Sequence, residues 1–225
     1  MKWLPSWKNA LLALLAAGLL ILAFPDFEWW WTAWFALVPL MWAVEREGRV
    51  GSSFLLGWLF GTAFFFGTCW WLTYAPIHYA AVPWPIAYFL ILIACLGAGV
   101  FPGIFAAILS ILLRRFGSWA FLAAPFVWVF SEFLRYWVTG NNWNAVGYSQ
   151  AFVGTKFLAE FGGVLTASFL PVLLASTIAT WISNRRRYYL LVLAFFLFGP
   201  FAGVGLVVDL LYGQGFYEPP FRTGQ

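Results

Sequence analysis

Charge is what this 225-residue chain has least of: Asp, Glu, Lys and Arg together make up 9% of it. Hydrophobic residues make up 64%, against roughly half in a soluble domain, and mean hydropathy is +0.86. A chain so poor in charge cannot cover itself for water, so its solvent must be lipid. A single histidine, His78, and two cysteines, Cys69 and Cys95, leave no metal-ligand spacing and no disulfide framework. Glycine-rich phosphate loops are missing, no basic surface domain is present to hold nucleic acid, and no cofactor is expected. The alternating ten-residue strands of a lipid-spanning barrel are also missing. What is present is a series of continuous apolar blocks, the pattern of spanning helices.

Seven such blocks can be drawn, at 5–24, 28–44, 51–75, 84–113, 118–138, 157–183 and 188–208. Each is near or above the roughly 17 residues that spanning needs. The separators "PDFE", "EREGR", "APIHYAAVPWP", "RRFG" and "NRRR" hold Pro, Gly or charge, as helix ends should. The expected fold is an all-α integral membrane bundle of about seven transmembrane helices over 1–208, with a short tail at 209–225. Lys2, Lys8, Arg46, Arg49, Arg114, Arg115, Arg185, Arg186 and Arg187 all fall on one side if the blocks alternate. Only Arg135, Lys156 and Arg222 fall on the other. The positive-inside rule then puts the N-terminus in the cytoplasm and the C-terminus outside. The first block lacks a small-residue cleavage site and is read as retained. The first two blocks are short enough to form a hairpin that does not fully cross, which leaves the parity downstream unchanged.

This topology sends "TGNNWNAVGYSQ" (139–150) to the outer face with "PDFEWWW" and "APIHYAAVPWP". Trp29, Trp30, Trp31, Trp84, Trp143 and Tyr148 suit an outer-leaflet belt, since an indole or phenol is apolar with one polar atom. Interfacial anchoring accounts for each ring singly. It does not account for Asn141, Asn142 and Gln150, whose amides need partners wherever lipid excludes water. In "FSEFLRYW" Glu132 and Arg135 stand three apart on one helix face near its outer end. Ionisable residues at that depth are either functional or a self-satisfied ion pair that locks helices together. Lys156 and Glu160 read as a solvated helix-end pair, and a Cys69–Lys156–Glu160 cluster is disfavoured because the thiol would be desolvated. "EFGGV" followed by "LTAS" reads as a small-residue contact for close helix approach. His78, in an outer loop, reads as an interfacial polar residue.

Six pieces now stand in order: "LAFPDFEWWWTAWFALVPL" (22–40), "GWLFGTAFFFGTCWWL" (57–72), "IHYAAVP" (77–83), "WVFSEFLRYWVTG" (128–140), "WNAVGYSQ" (143–150) and "FGGVLTASFLPVLLA" (161–175). Together they resemble the N-terminal membrane domain of bacterial apolipoprotein N-acyltransferases, over most of residues 10–183. The resemblance implies a multi-pass protein of the bacterial cytoplasmic (inner) membrane. It implies a phospholipid as acyl donor and a diacylated apolipoprotein as acceptor, acylated on the α-amino group of its N-terminal cysteine. In that family a Glu–Lys–Cys set in an outward-facing nitrilase-like domain forms an acyl-cysteine thioester, which the amine attacks.

No residues of this chain match that set, so no catalytic residue is carried over. A separately encoded nitrilase-like domain is the partner expected if the chain acts in acylation. "NN" at Asn141–Asn142 stands where the family usually has an aromatic–proline pair. As substrate or lipid contacts the resemblance singles out Trp143, Tyr148 and Gln150, with Asn141, Asn142 and His78 nearby and Glu132 and Arg135 bracing from below. A non-enzymatic membrane anchor or scaffold for a partner enzyme is the alternative. A small transporter would show mid-bilayer charges and repeated halves, and neither is found.

Overall fold

The computed structural model describes residues 4–151 and 157–184, and every regular element among them is helical. The elements are α1 (Trp7–Ile21), α2 (Ala33–Ala36), α3 (Val38–Glu47), α4 (Val50–Cys69), α5 (Tyr74–Tyr79), α6 (Trp84–Phe116), α7 (Ala124–Thr139) and α8 (Phe157–Ser183). Short 3-10 turns at Trp30–Thr32, Trp70–Thr73, Gly117–Ala123 and Val146–Gln150 join them. The seventh expected block (188–208), Lys156, Arg185–Arg187 and the tail from 209 lie outside the described residues.

Three helical stretches are long and apolar enough to cross a bilayer: Val50–Tyr79, Trp84–Thr139 and Gly162–Ser183. The second of these holds two helices, α6 and α7, joined by the turn at Gly117–Ala123. The block at 28–44 is not one helix. It divides into a 3-10 turn, the four-residue α2 and the ten-residue α3. Pro39 explains the second break, because it has no N–H to continue α2 but fits the first turn of α3. With α1 at 15 residues, the first two blocks make a short helical pair packed on α4. In α8 the helix is interrupted at Gly162 and Gly163, the latter at φ +71°. The glycine pair therefore breaks the chain direction; it is not the close helix contact expected of it.

Close contact occurs elsewhere. A Cβ on Gly57 would lie 2.2 Å from the Pro102 carbonyl, and one on Gly61 2.9 Å from Gly99 Cα. These small residues let α4 and α6 pack backbone to backbone, the usual means of helix association in lipid. The same contacts run in opposite chain directions, so α4 and α6 are antiparallel. Above them an aromatic core joins α4, α6 and α7: the Trp128 ring is T-shaped to Phe60 at 6.1 Å and to Phe105 at 5.0 Å.

The bundle has two chemically different ends. At one, Glu47 accepts from the Ser6 backbone N–H (3.2 Å) and from Asn9 Nδ2 (2.8 Å), and pairs with Arg49. The Ser183 hydroxyl bonds Glu45 there as well. The starts of α1 and α4 and the ends of α3 and α8 thus meet, and the antiparallel α6 brings Arg114 and Arg115 to the same end. The opposite end holds the loop at 22–30, the turn at 70–73 and the segment 140–151.

Candidate functional site

Segment 140–151 starts where Gly140 ends α7 at φ +73°, a left-handed conformation that a side chain would strain. Beyond it the chain folds over the bundle end and is tied down residue by residue. Arg135 is 5% exposed and points its guanidinium up into the segment. Its Nη1 donates to the Trp143 carbonyl at 2.7 Å and its Nη2 to Asn142 Oδ1 at 3.2 Å. The guanidinium also lies 5.1 Å from the Phe65 ring centroid, a cation–π arrangement.

Glu132, 4% exposed, serves a different part of the segment. Its Oε1 accepts from the Val146 backbone N–H at 2.8 Å and from Trp128 Nε1 at 2.9 Å. Its Oε2 is buried without a hydrogen bond of standard geometry, beside the Ser168 hydroxyl. No ion pair joins Glu132 to Arg135; among the described residues the one ion pair is Arg49–Glu47. The two side chains share a helix face, but each holds its own stretch of the segment.

Gln150 is 1% exposed, which places it inside the fold, away from any headgroup. Its Oε1 accepts from Trp34 Nε1 at 3.0 Å, and its Nε2 donates to the Trp30 carbonyl at 3.1 Å and to Ser149 Oγ at 2.9 Å. It ties the segment to the loop before α2. Gly147 presses on α8, where its N–H donates to Ser168 Oγ at 2.7 Å and an added Cβ would lie 2.2 Å from the Val164 carbonyl. "LTAS" does supply small residues for a close approach, with the incoming segment as the neighbour.

Trp143 and Tyr148 stay exposed at 56% and 48%, and the Trp143 ring sits 6.3 Å from that of Trp71. Asn141 is exposed and its Oδ1 accepts from the Trp143 backbone N–H at 3.2 Å. His78 is not brought into this group. It lies on α5, stacked on Tyr74 at 4.0 Å, with Nδ1 in contact with the Tyr74 carbonyl.

Asn144 was not singled out in the sequence, and it is the hinge of the site. It adopts φ +58°, a conformation asparagine tolerates better than most residues. Its Nδ2 donates to Thr68 Oγ1 at 2.8 Å and to Cys69 Sγ at 3.0 Å. Trp143 and Asn144 thereby form a partition between two clefts. One, of about 490 Å³, lies between the loop at 23–30 and residues 143–151. The other, of about 570 Å³, opens between α4, α6 and the end of α7, with Cys69, Cys95 and Ala98 among its walls. Both are mainly apolar, with polar groups near the segment: Glu28, Tyr148 and Ser149 in the first, Arg135, Thr139 and Asn141 in the second. Clefts of this kind and size suit an apolar chain with a polar head. No group of His, Cys, Asp and Glu able to hold a metal occurs among the described residues.

Residues 16–177 match the family described as "Apolipoprotein N-acyltransferase N-terminal domain". Full-length relatives give the same answer. The apolipoprotein N-acyltransferase of Pseudomonas paraeruginosa (strain DSM 24068 / PA7) is 33% identical over 214 residues, covering 90% of this chain and 40% of its own. That of Pseudomonas aeruginosa (strain UCBPP-PA14) is 35% identical over 184 residues, 78% of this chain and 35% of its own. That of Pasteurella multocida (strain Pm70) is 30% identical over 168 residues, 72% and 31%. The chain spans about a third of the length of these curated relatives.

Proposed function

The chain belongs to the apolipoprotein N-acyltransferase family, matching its N-terminal domain, and on that premise we propose that it is the membrane half of a lipoprotein N-acylation system. It sits in the bacterial inner membrane with its arginine-rich end in the cytoplasm and segment 140–151 in the outer leaflet. There it guides lipid chains toward a nitrilase-like domain, which belongs to a longer form of the protein or to a separate polypeptide. That domain takes an acyl group from a phospholipid onto its cysteine, releasing a lysophospholipid. The α-amine of the diacylated lipoprotein then attacks the thioester and frees the thiol.

One observation carries this reading: two apolar clefts with polar tops flank Trp143 and Asn144 at the end of the bundle away from Arg46, Arg49, Arg114 and Arg115. In a bilayer such clefts receive acyl chains sideways while the headgroup stays at the aromatic belt. Trp143, Tyr148 and Asn141 are the exposed groups that meet it. Glu132, Arg135, Asn142 and Gln150 hold the segment in shape, and the membrane domain itself supplies position, not chemistry.

The test is co-expression with a nitrilase-like catalytic domain in cells depleted of their own N-acyltransferase, followed by mass spectrometry of lipoprotein N-termini. Triacylated products that fall with Trp143→Ala are expected. If products stay diacylated with every catalytic domain tried, the acylation role is refuted. Stable co-purification with an enzyme, unaffected by Trp143→Ala, would instead make the chain an anchor.

A further inference from the structure

One wall of the larger cleft is held more loosely than the others. It is the half of α6 nearest segment 140–151, which contributes Ile91, Ala94, Cys95, Gly97 and Ala98 to the lining. α6 is unequal along its length. Beyond Val100 it is locked into the bundle, with Phe101, Gly103, Phe105, Ala106, Leu109 and Ser110 buried. From Trp84 to Val100 only Ala87, Cys95 and Gly99 are buried, while Ile86, Phe89, Leu90 and Ile93 are exposed. Pro102 stands at the boundary. It has no N–H, so the Ala98 carbonyl lacks the amide that would bond it four residues on, and the proline ring crowds that carbonyl. Pro102 itself is pressed against Gly57 and Gly61 of α4, so a bend there moves the first half of α6 and leaves the second in place. There is room for the movement, because no atom lies within 4 Å of where a Cβ on Gly97 would sit. A polar tie reaches past the bend from α4: Trp58 Nε1 donates to the Leu96 carbonyl at 2.8 Å.

We infer that residues 84–101 form a gate that pivots at Pro102, with the Trp58–Leu96 hydrogen bond as its latch, and that its swing sets how widely the larger cleft opens. This rests on the reading of that cleft as a path for acyl chains and adds how the path is opened. Bending is inexpensive at a proline because the helical bond it would break is already missing. The latch is equally easy to release. A carbonyl has two lone pairs, and the Leu96 oxygen keeps its helical bond when the indole lets go. What is lost is of the order of one hydrogen bond, a difference at which two conformations coexist.

The experiment is double electron–electron resonance on the full chain in lipid nanodiscs, in a Cys69→Ser, Cys95→Ala background. One pair of spin labels sits at Phe89→Cys and Trp137→Cys, exposed positions on the gate and at the end of α7. A second pair, at Ile111→Cys and Phe126→Cys, spans the opposite halves of the same two helices. Two populations are expected for the first pair and one narrow distance for the second. Pro102→Ala restores the missing amide and should collapse the first pair to one population. Trp58→Phe keeps a ring and removes the donor, and should raise the wider population relative to the narrower about two- to tenfold, the range for one lost hydrogen bond. Should Pro102→Ala fail to fold, Trp58→Phe carries the test alone. A single narrow distance for the first pair in the otherwise unaltered background overturns the proposal. It is overturned as well if the second pair broadens equally, if a folded Pro102→Ala keeps both populations, or if Trp58→Phe leaves their ratio unchanged. The readout is a distance without acyl transfer, so its failure and that of the co-expression test are told apart.

Discussion

Removing the acceptor at Glu132 separates hydrogen bonding from charge at the root of the site. Glu132→Ala leaves the Val146 N–H and the Trp128 indole N–H without their partner, at positions 1% and 3% exposed. Each stranded donor costs about 1–3 kcal/mol, so the substitution should destabilise by about 2–6 kcal/mol. Glu132→Gln keeps the acceptor at Oε1 and turns an amide toward Ser168 Oγ, which already accepts from Gly147 and has a second lone pair to offer. Its cost should stay within about 1.5 kcal/mol. Thermal unfolding in one detergent, followed by tryptophan fluorescence, measures both, with roughly 2–4 °C expected per kcal/mol for a chain of this size. The reasoning predicts the order alanine far below glutamine. If glutamine falls as far as alanine, the negative charge holds segment 140–151, and the hydrogen-bond account of Glu132 fails.

Four further outcomes follow from the structure. Gly147→Ala drives a Cβ to 2.2 Å from a backbone carbonyl on α8 that cannot move aside, and should cost about 1–3 kcal/mol in the same melts. Gly97→Ala, in open space on α6, should be neutral or gain up to about 1 kcal/mol. Gln150→Leu strands the Trp34 indole N–H and the Trp30 carbonyl and should cost about 2–5 kcal/mol, loosening the Trp30 side of the smaller cleft. Partial burial pushes the Glu47 carboxyl up, but hydrogen bonds from Arg49, Asn9 and the Ser6 backbone outweigh it and hold the group below its ordinary value of 4.5. Its stabilising share is therefore complete above that value and is lost as pH falls through the lower folded one. The gap in melting temperature between wild type and Glu47→Gln should accordingly shrink between about pH 7 and about pH 3, and a gap that widens would refute the assignment.

Hydropathy located the long helices because lipid and protein interior are both apolar, and the same fact hid which face of each helix turns inward. In a soluble helix large apolar residues mark the core; here Trp71, Phe89 and Trp137 are exposed, whereas Gly57, Gly61 and Ser53 are buried. Small residues mark the α4–α6 contact, so the ordinary rule reverses. The block at 28–44 reads as one apolar run for a related reason: its composition suits a span, but Pro39 divides it, and a window average does not register one missing N–H. The site was legible as residue types and not as roles. An amide-rich patch among indoles announced polar groups in need of partners, yet Gln150 finds Trp34, 116 residues away, and Asn144 finds Thr68, 76 away. No local spacing encodes such pairings. Glu132 and Arg135 show the limit most clearly, because a three-residue interval guarantees a shared helix face but not contact. The segment folded over that face supplies carbonyls, an amide and a backbone N–H, and these draw the two charges apart into separate duties. Buried charges near the end of a membrane helix therefore point first to the loop that covers them, and that loop is the part of the site whose disruption should reach both clefts at once.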